Sequence, residues 1–100
     1  MDKLHSEAVD NLFKAILSLE NTDECYAFFE DLCTVKELLD IAQRFEVATL
    51  LEKGKSYISI SNETGASTAT ISRVNKCLAY GNDGYKLVLE RLNGKENEHE

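Results

Sequence analysis

Four cations and a run of hydroxyls gather in one stretch of a 100-residue chain: Lys53, Lys55, Arg73 and Lys76, with Ser67, Thr68, Thr70 and Ser72 among them. Guanidinium and ammonium groups neutralise phosphates, and Arg can also fork onto guanine. Hydroxyls bond base edges or phosphate oxygens, and a methyl such as that of Ala69 can meet the methyl of thymine. The chemistry on offer is recognition of duplex DNA rather than the making of bonds. The competing signatures are missing: there is no Gly-rich phosphate loop and no metal-ligand spacing, and His5 and His99 lie near the two ends. An enzyme is not expected, and neither a metal nor a cofactor is called for. Cys25, Cys33 and Cys77 are odd in number and form no Cys-x-x-Cys pair, so they read as buried thiols rather than as disulfide or zinc ligands.

Groups of this kind reach DNA when a short helix presents them to a groove, and the window from about Tyr57 to Leu78 has the parts of a helix-turn-helix. Two helices crossing steeply need a turn of three or four residues, one of them at positive φ, which Gly65 can adopt without a Cβ clash. Ile60 before the turn and Ile71, Val74 and Leu78 after it can share a small core that fixes the crossing, and Ser67 can cap the second helix. That helix then presents Thr68, Ala69, Ser72, Arg73 and Lys76 away from the core. Ser61 stands where Ala is usual and Thr64 where an aliphatic residue is usual, and both are small enough to fit. Thr64 to Ser67 could also be a plain turn between two packing helices. Packing alone, however, does not require four cations to collect beside it.

Further elements hold this window. No proline occurs, so the glycines at 54, 65, 81, 84 and 94 act as punctuation. Ala8, Val9, Leu12, Phe13, Ile16 and Leu19 recur at helical spacing and predict an amphipathic helix over 4–19. Asn21 and Glu24 have capping-box spacing and open a short second helix with Tyr26, Phe28, Phe29 and Leu32. Thr34-Val35-Lys36-Glu37 repeats the box and starts a long third helix, with Leu38, Ile41, Ala42, Phe45, Ala48 and Leu51 on one face and an end at Lys53-Gly54. A last helix is expected from about Tyr85 to Leu92, opened by Asn82 or Asp83 and closed at Asn93-Gly94. These elements make one all-α domain of about six helices over 1–94, followed by a disordered polar tail over 95–100.

The net charge of −7 at first tells against a phosphate-binding protein. Its distribution reverses that impression. Residues 1–52 carry 4 basic and 12 acidic groups, whereas residues 53–80 carry four cations against Glu63 alone. No run approaches the roughly 18 apolar residues of a membrane span, and the first residues lack signal-peptide order, so a cytoplasmic protein is expected, nucleoid-associated when DNA-bound. Apolar faces on the first three helices exceed what a core of this size hides, which points to a homodimer.

Ala66-Ser67-Thr68-Ala69-Thr70-Ile71-Ser72-Arg73-Val74, after the helix end Leu50-Leu51-Glu52-Lys53-Gly54, resembles the Trp repressor family, most of all its YerC/YecD-like branch. The similarity runs from about residue 7 to 92 and takes in Leu32-Cys33-Thr34 and Ala42-Gln43-Arg44-Phe45-Glu46-Val47-Ala48. The resemblance implies interlocked N-terminal helices of two chains with two helix-turn-helix heads outside. It also implies a small-molecule co-ligand such as tryptophan, clamped by arginines that align with Arg44 and Arg73, with Cys77 nearby. Val74 stands where the repressor has Gly and Cys77 where it has Ser, which tells against tryptophan itself. Alternatively Arg44 pairs with Glu37, Asp40 or Glu46.

The expected function is a DNA-binding transcriptional regulator, a repressor reading a palindromic operator. The residues expected at DNA are Lys55, Ser67, Thr68, Ala69, Thr70, Ser72, Arg73 and Lys76, and those expected at an effector are Arg44, Arg73 and Cys77. The alternative is a protein-interaction module that keeps the helix-turn-helix shape without reading DNA, and the overall charge favours it.

Overall fold

The computed structural model describes residues 3–98, which form six helices and, among the described residues, no strand. They are α1 (Glu7–Leu17), α2 (Thr22–Leu32), α3 (Val35–Glu52), α4 (Tyr57–Thr64), α5 (Thr68–Tyr80) and α6 (Gly84–Glu98). The all-α reading holds, and local capping chemistry sets most of the boundaries.

Ser6 opens α1 by accepting from the Val9 N–H at 3.2 Å. Asn21 opens α2 by accepting from the Glu24 N–H at 2.9 Å, while the Glu24 carboxylate reaches back one residue further than a standard box, to the Glu20 N–H at 2.9 Å. The box at α3 closes as the sequence predicts: Thr34 Oγ1 accepts from the Glu37 N–H at 3.1 Å, and Glu37 Oε1 accepts from the Thr34 N–H at 2.9 Å. The end of α3 is a Schellman motif. Gly54 takes φ 82°, its N–H bonds Leu51 O at 3.0 Å, and the Lys55 N–H bonds Leu50 O at 3.1 Å.

The chain divides into two compact units, Met1–Leu38 and Leu39–Glu100, where the sequence suggests one domain. The physical reason lies in where burial falls. In the first unit, α1 and α2 bury no side chain. Phe13 and Tyr26 stay more than half exposed and Leu17 is 84% exposed, although the Phe28 and Phe29 rings meet edge to face at 5.5 Å.

The second unit holds the core. Val47, Ala48, Ile60, Ala66, Ile71, Val74 and Leu78 form one buried cluster, with Leu50, Leu51 and Tyr85 packed against it. Each fully buried Ile or Val stabilises the fold by about 1.5–3 kcal/mol. Of the face expected on the third helix only Ala48 is buried, whereas Val47 replaces the exposed Ile41 and Ala42 in the core.

Two further expectations need correction. The thiols are free but not buried: Cys25 and Cys77 are exposed and Cys33 is half-buried, because Cys25 and Cys33 belong to the unit without buried side chains. The last helix does not close at Asn93-Gly94. It runs on to Glu98, four residues into the expected tail, since a glycine inside a helix costs only about 1 kcal/mol and no proline follows; residues 99–100 lie outside the described residues. Its start is as expected, with Asp83 immediately before it at φ 62° and the Asp83 carbonyl accepting from the Leu87 N–H at 3.0 Å.

Candidate nucleic-acid interface

The helix-turn-helix is α4 and α5. Ser56 opens α4 by accepting from the Ser59 N–H at 3.2 Å. Gly65 then takes φ 74° and bonds Ser61 O at 2.9 Å, so the left-handed residue falls where the sequence places it. Ser67 caps α5 with its Oγ, which accepts from the Thr70 N–H at 3.1 Å and donates to Thr70 Oγ1 at 3.1 Å.

Ser61 and Thr64, the two departures from the common pattern, turn out to fasten the turn. Thr64 Oγ1 donates to Ile60 O at 2.8 Å and accepts from the Ala66 N–H at 3.1 Å. Ser61 Oγ donates to Ala66 O at 3.0 Å. Ala66 is buried, belongs to no helix, and has both backbone polar groups satisfied by α4 hydroxyls. From α3, Gln43 Nε2 donates to Thr64 O at 3.1 Å.

Helix α5 is two-sided. Ile71, Val74 and Leu78 are buried, while Thr68, Ala69, Ser72, Arg73 and Lys76 are exposed. Ser67 is also exposed, Thr70 is half-buried with its hydroxyl engaged at the cap, and Lys55 is exposed in the link between α3 and α4. The exposed side combines small groups near the helix start with cations further on, a profile that admits close approach to a groove.

A cavity of about 540 Å³ opens behind this helix. Arg44 and Phe45 of α3, Arg73, Val74 and Cys77 of α5, and Tyr85 of α6 line it. The structure thus brings Arg44, Arg73 and Cys77 together at one space. An adjacent and more apolar cavity of about 450 Å³ shares Phe45, Cys77 and Tyr85 and extends to Val88. Tyr85 and Phe45 carry no sign of this role in local sequence, where each reads as an ordinary apolar helix position. Among the described residues no His, Cys, Asp and Glu cluster could hold a metal ion.

Comparison with known proteins agrees with this geometry. The family described as Trp repressor protein matches over residues 7–93. An uncharacterized protein, YerC, of Bacillus subtilis (strain 168) is 54% identical over 98 residues, covering 98% of this chain and 94% of that protein. The crystal structure of a TrpR-like protein from Eubacterium eligens ATCC 27750 is 59% identical, covers 91% of this chain and 94% of that one, and superposes with a TM-score of 0.89.

Proposed function

Because the chain belongs to the Trp repressor family, we propose that it is a sequence-specific DNA-binding regulator of transcription, a repressor that reads a palindromic operator through α4 and α5. The observation that carries this reading is the two-sidedness of α5, whose buried Ile71, Val74 and Leu78 leave Thr68, Ala69, Ser72, Arg73 and Lys76 facing outward. Thr68, Ala69 and Ser72 sit at the start of the helix and read base edges, while Arg73, Lys76 and Lys55 hold phosphates or a guanine. Ser67 and Thr70 keep the first turn intact.

The DNA-bound form is a homodimer. Phe13, Leu17, Tyr26 and Leu32 are exposed in the single chain, and a second copy is the partner that hides a self-complementary apolar face. Two-fold symmetry sets the recognition helices about one DNA turn apart, roughly 34 Å. The protein works in the cytoplasm, at the nucleoid. Among the described residues no helix is long and apolar enough to cross a membrane.

Selection of bound sites from random duplex DNA, followed by titration of the enriched site over a salt series, tests the proposal. A palindromic site whose affinity falls steeply with salt is expected. Enrichment of no site would favour the alternative suggested by the net charge of −7, a protein-interaction module whose apolar contacts hold as salt rises.

The cavity of about 540 Å³ suits a small planar or anionic effector, since the Arg44 and Arg73 guanidiniums can stack on a ring or pair with a carboxylate. Such a molecule raises DNA affinity only by preferring one tilt of α5 over others. Val74 and Cys77 lie in the wall, where Val adds bulk that Gly would not and a thiol is a weaker hydrogen-bond partner than a hydroxyl, so tryptophan is not the effector proposed. Calorimetric titration with tryptophan is expected to give no heat, and tight binding lost in Arg44→Ala would reverse that assignment.

A further inference from the structure

We propose that Gln43 is a positioning residue for DNA reading, holding the last carbonyl of α4 and so fixing the angle at which the recognition helix leaves the turn. The proposal rests on the DNA-reading function above and names how its geometry is set.

The hydroxyls of Ser61 and Thr64 bind Ala66 at both its N–H and its carbonyl. Ala66 directly precedes Ser67, the cap of α5. Directional bonds at the turn therefore add to the aliphatic core of Ile60, Ile71, Val74 and Leu78, which by itself tolerates small rotations, in setting the orientation of the recognition helix. Those bonds alone would fix α5 only to α4. Gln43 lies on the scaffold helix α3, 21 residues away in sequence, and its Nε2 donates to Thr64 O at 3.1 Å in partly buried surroundings. It ties the whole set to the scaffold. Thr64 O is among the last carbonyls of α4, which have no partner within their own helix, so the Gln43 amide fills a vacant acceptor. Without that donor the buried cluster of Val47, Ala48, Ile60, Ala66, Ile71 and Val74 still holds the motif on α3, but the turn loses its directional bond to that helix and only apolar packing resists a small rotation. A small rotation misplaces Thr68, Ala69 and Ser72 at base edges while leaving flexible Arg73 and Lys76 able to find phosphates.

The test compares the wild type with Gln43→Met, which keeps length and helix propensity but has no donor, and with Gln43→Lys, which restores one. Each is titrated with a duplex bearing the site selected by the wild type and with a scrambled duplex of the same composition. The ratio of the two affinities is the readout, because added or lost charge cancels in it. Gln43→Met should lower the ratio about fivefold, the size of one net hydrogen bond, with the unfolding midpoint little changed, and Gln43→Lys should recover part of it. If Gln43→Met fails to fold, Gln43→Glu, which is of equal size and cannot donate when ionised, must show the same loss. An unchanged ratio in a folded Gln43→Met, or in Gln43→Glu in its place, overturns the proposal. A wild type that prefers no site would instead overturn the DNA-reading function on which the proposal stands.

Discussion

Substitutions at Ser67, the cap of α5, separate the stability of that helix from the approach of its start to DNA. Its Oγ accepts from the Thr70 N–H and donates to the Thr70 hydroxyl, each at 3.1 Å, so Ser67→Ala removes an N-cap and leaves a first-turn donor without its partner. An exposed cap of this kind contributes about 1 kcal/mol to stability. Ser67→Asp restores it, because Asp caps as well as Ser and its charge favours a helix N-terminus by about 0.3–1 kcal/mol. At DNA the order inverts. A carboxylate at the head of α5 repels phosphates and cannot donate, so Ser67→Asp should bind at least about tenfold more weakly, roughly 1.4 kcal/mol. Ser67→Ala should lose less, since it only loosens the first turn. Urea unfolding should therefore rank Asp and Ser above Ala, while titration with the selected duplex should rank Ser above Ala above Asp. Identical rankings in the two assays would refute the placement of this helix terminus at DNA.

Arg73→Ala and Lys76→Ala should each cost about 1–3 kcal/mol of site affinity if the side chain meets a base, or lower the salt slope by about one if it meets a phosphate; no change in either quantity would remove that residue from the interface. Phe13→Asp should abolish the proposed dimer, because a charge would enter the apolar face through which two chains are proposed to join, and a compact stable monomer of the wild type in sedimentation would contradict that assembly. The Thr34 N–H, and next its hydroxyl, hold the Glu37 carboxyl below its ordinary 4.5. A depressed carboxylate contributes stability that is complete above 4.5 and lost as pH falls through the folded-state value, so Glu37→Gln should flatten that acid limb in a urea titration, and an unaltered limb would show that the box does not matter there.

What the sequence discloses and what it hides divide along the range of the interaction. The Thr34 and Glu37 box, the left-handed Gly54 and Gly65 and the Ser67 cap all follow from residues within a few positions of one another, where side-chain size and φ decide the outcome, and the burial of Ile60, Ile71, Val74 and Leu78 follows from the helical spacing on either side of that turn. The bond from Gln43 to Thr64 spans 21 residues, and nothing local marks a glutamine in the middle of the third helix as a donor to a distant carbonyl. Tyr85 joins Arg44 and Arg73 at the cavity for the same reason only after folding. Val47 displaces Ile41 and Ala42 from the core because several phases of the third helix are apolar, and tertiary packing chooses between them. The continuation of α6 past Gly94 shows the opposite limit, a local stop signal too weak to act.

The segregation of charge governs how such a protein would search a genome. A chain at −7 in which basic groups outnumber acidic ones only over residues 53–80 has little general attraction for polyanions, and its acidic half is repelled wherever the approach is wrong. Non-specific complexes should accordingly be short-lived. Sliding over long distances along the duplex would give way to repeated brief collisions, each scored by the fit of α5 rather than by the pull of the backbone. Discrimination would then come from rapid rejection, and occupancy of the operator would withstand an excess of other DNA that sequesters a more basic protein of the same size.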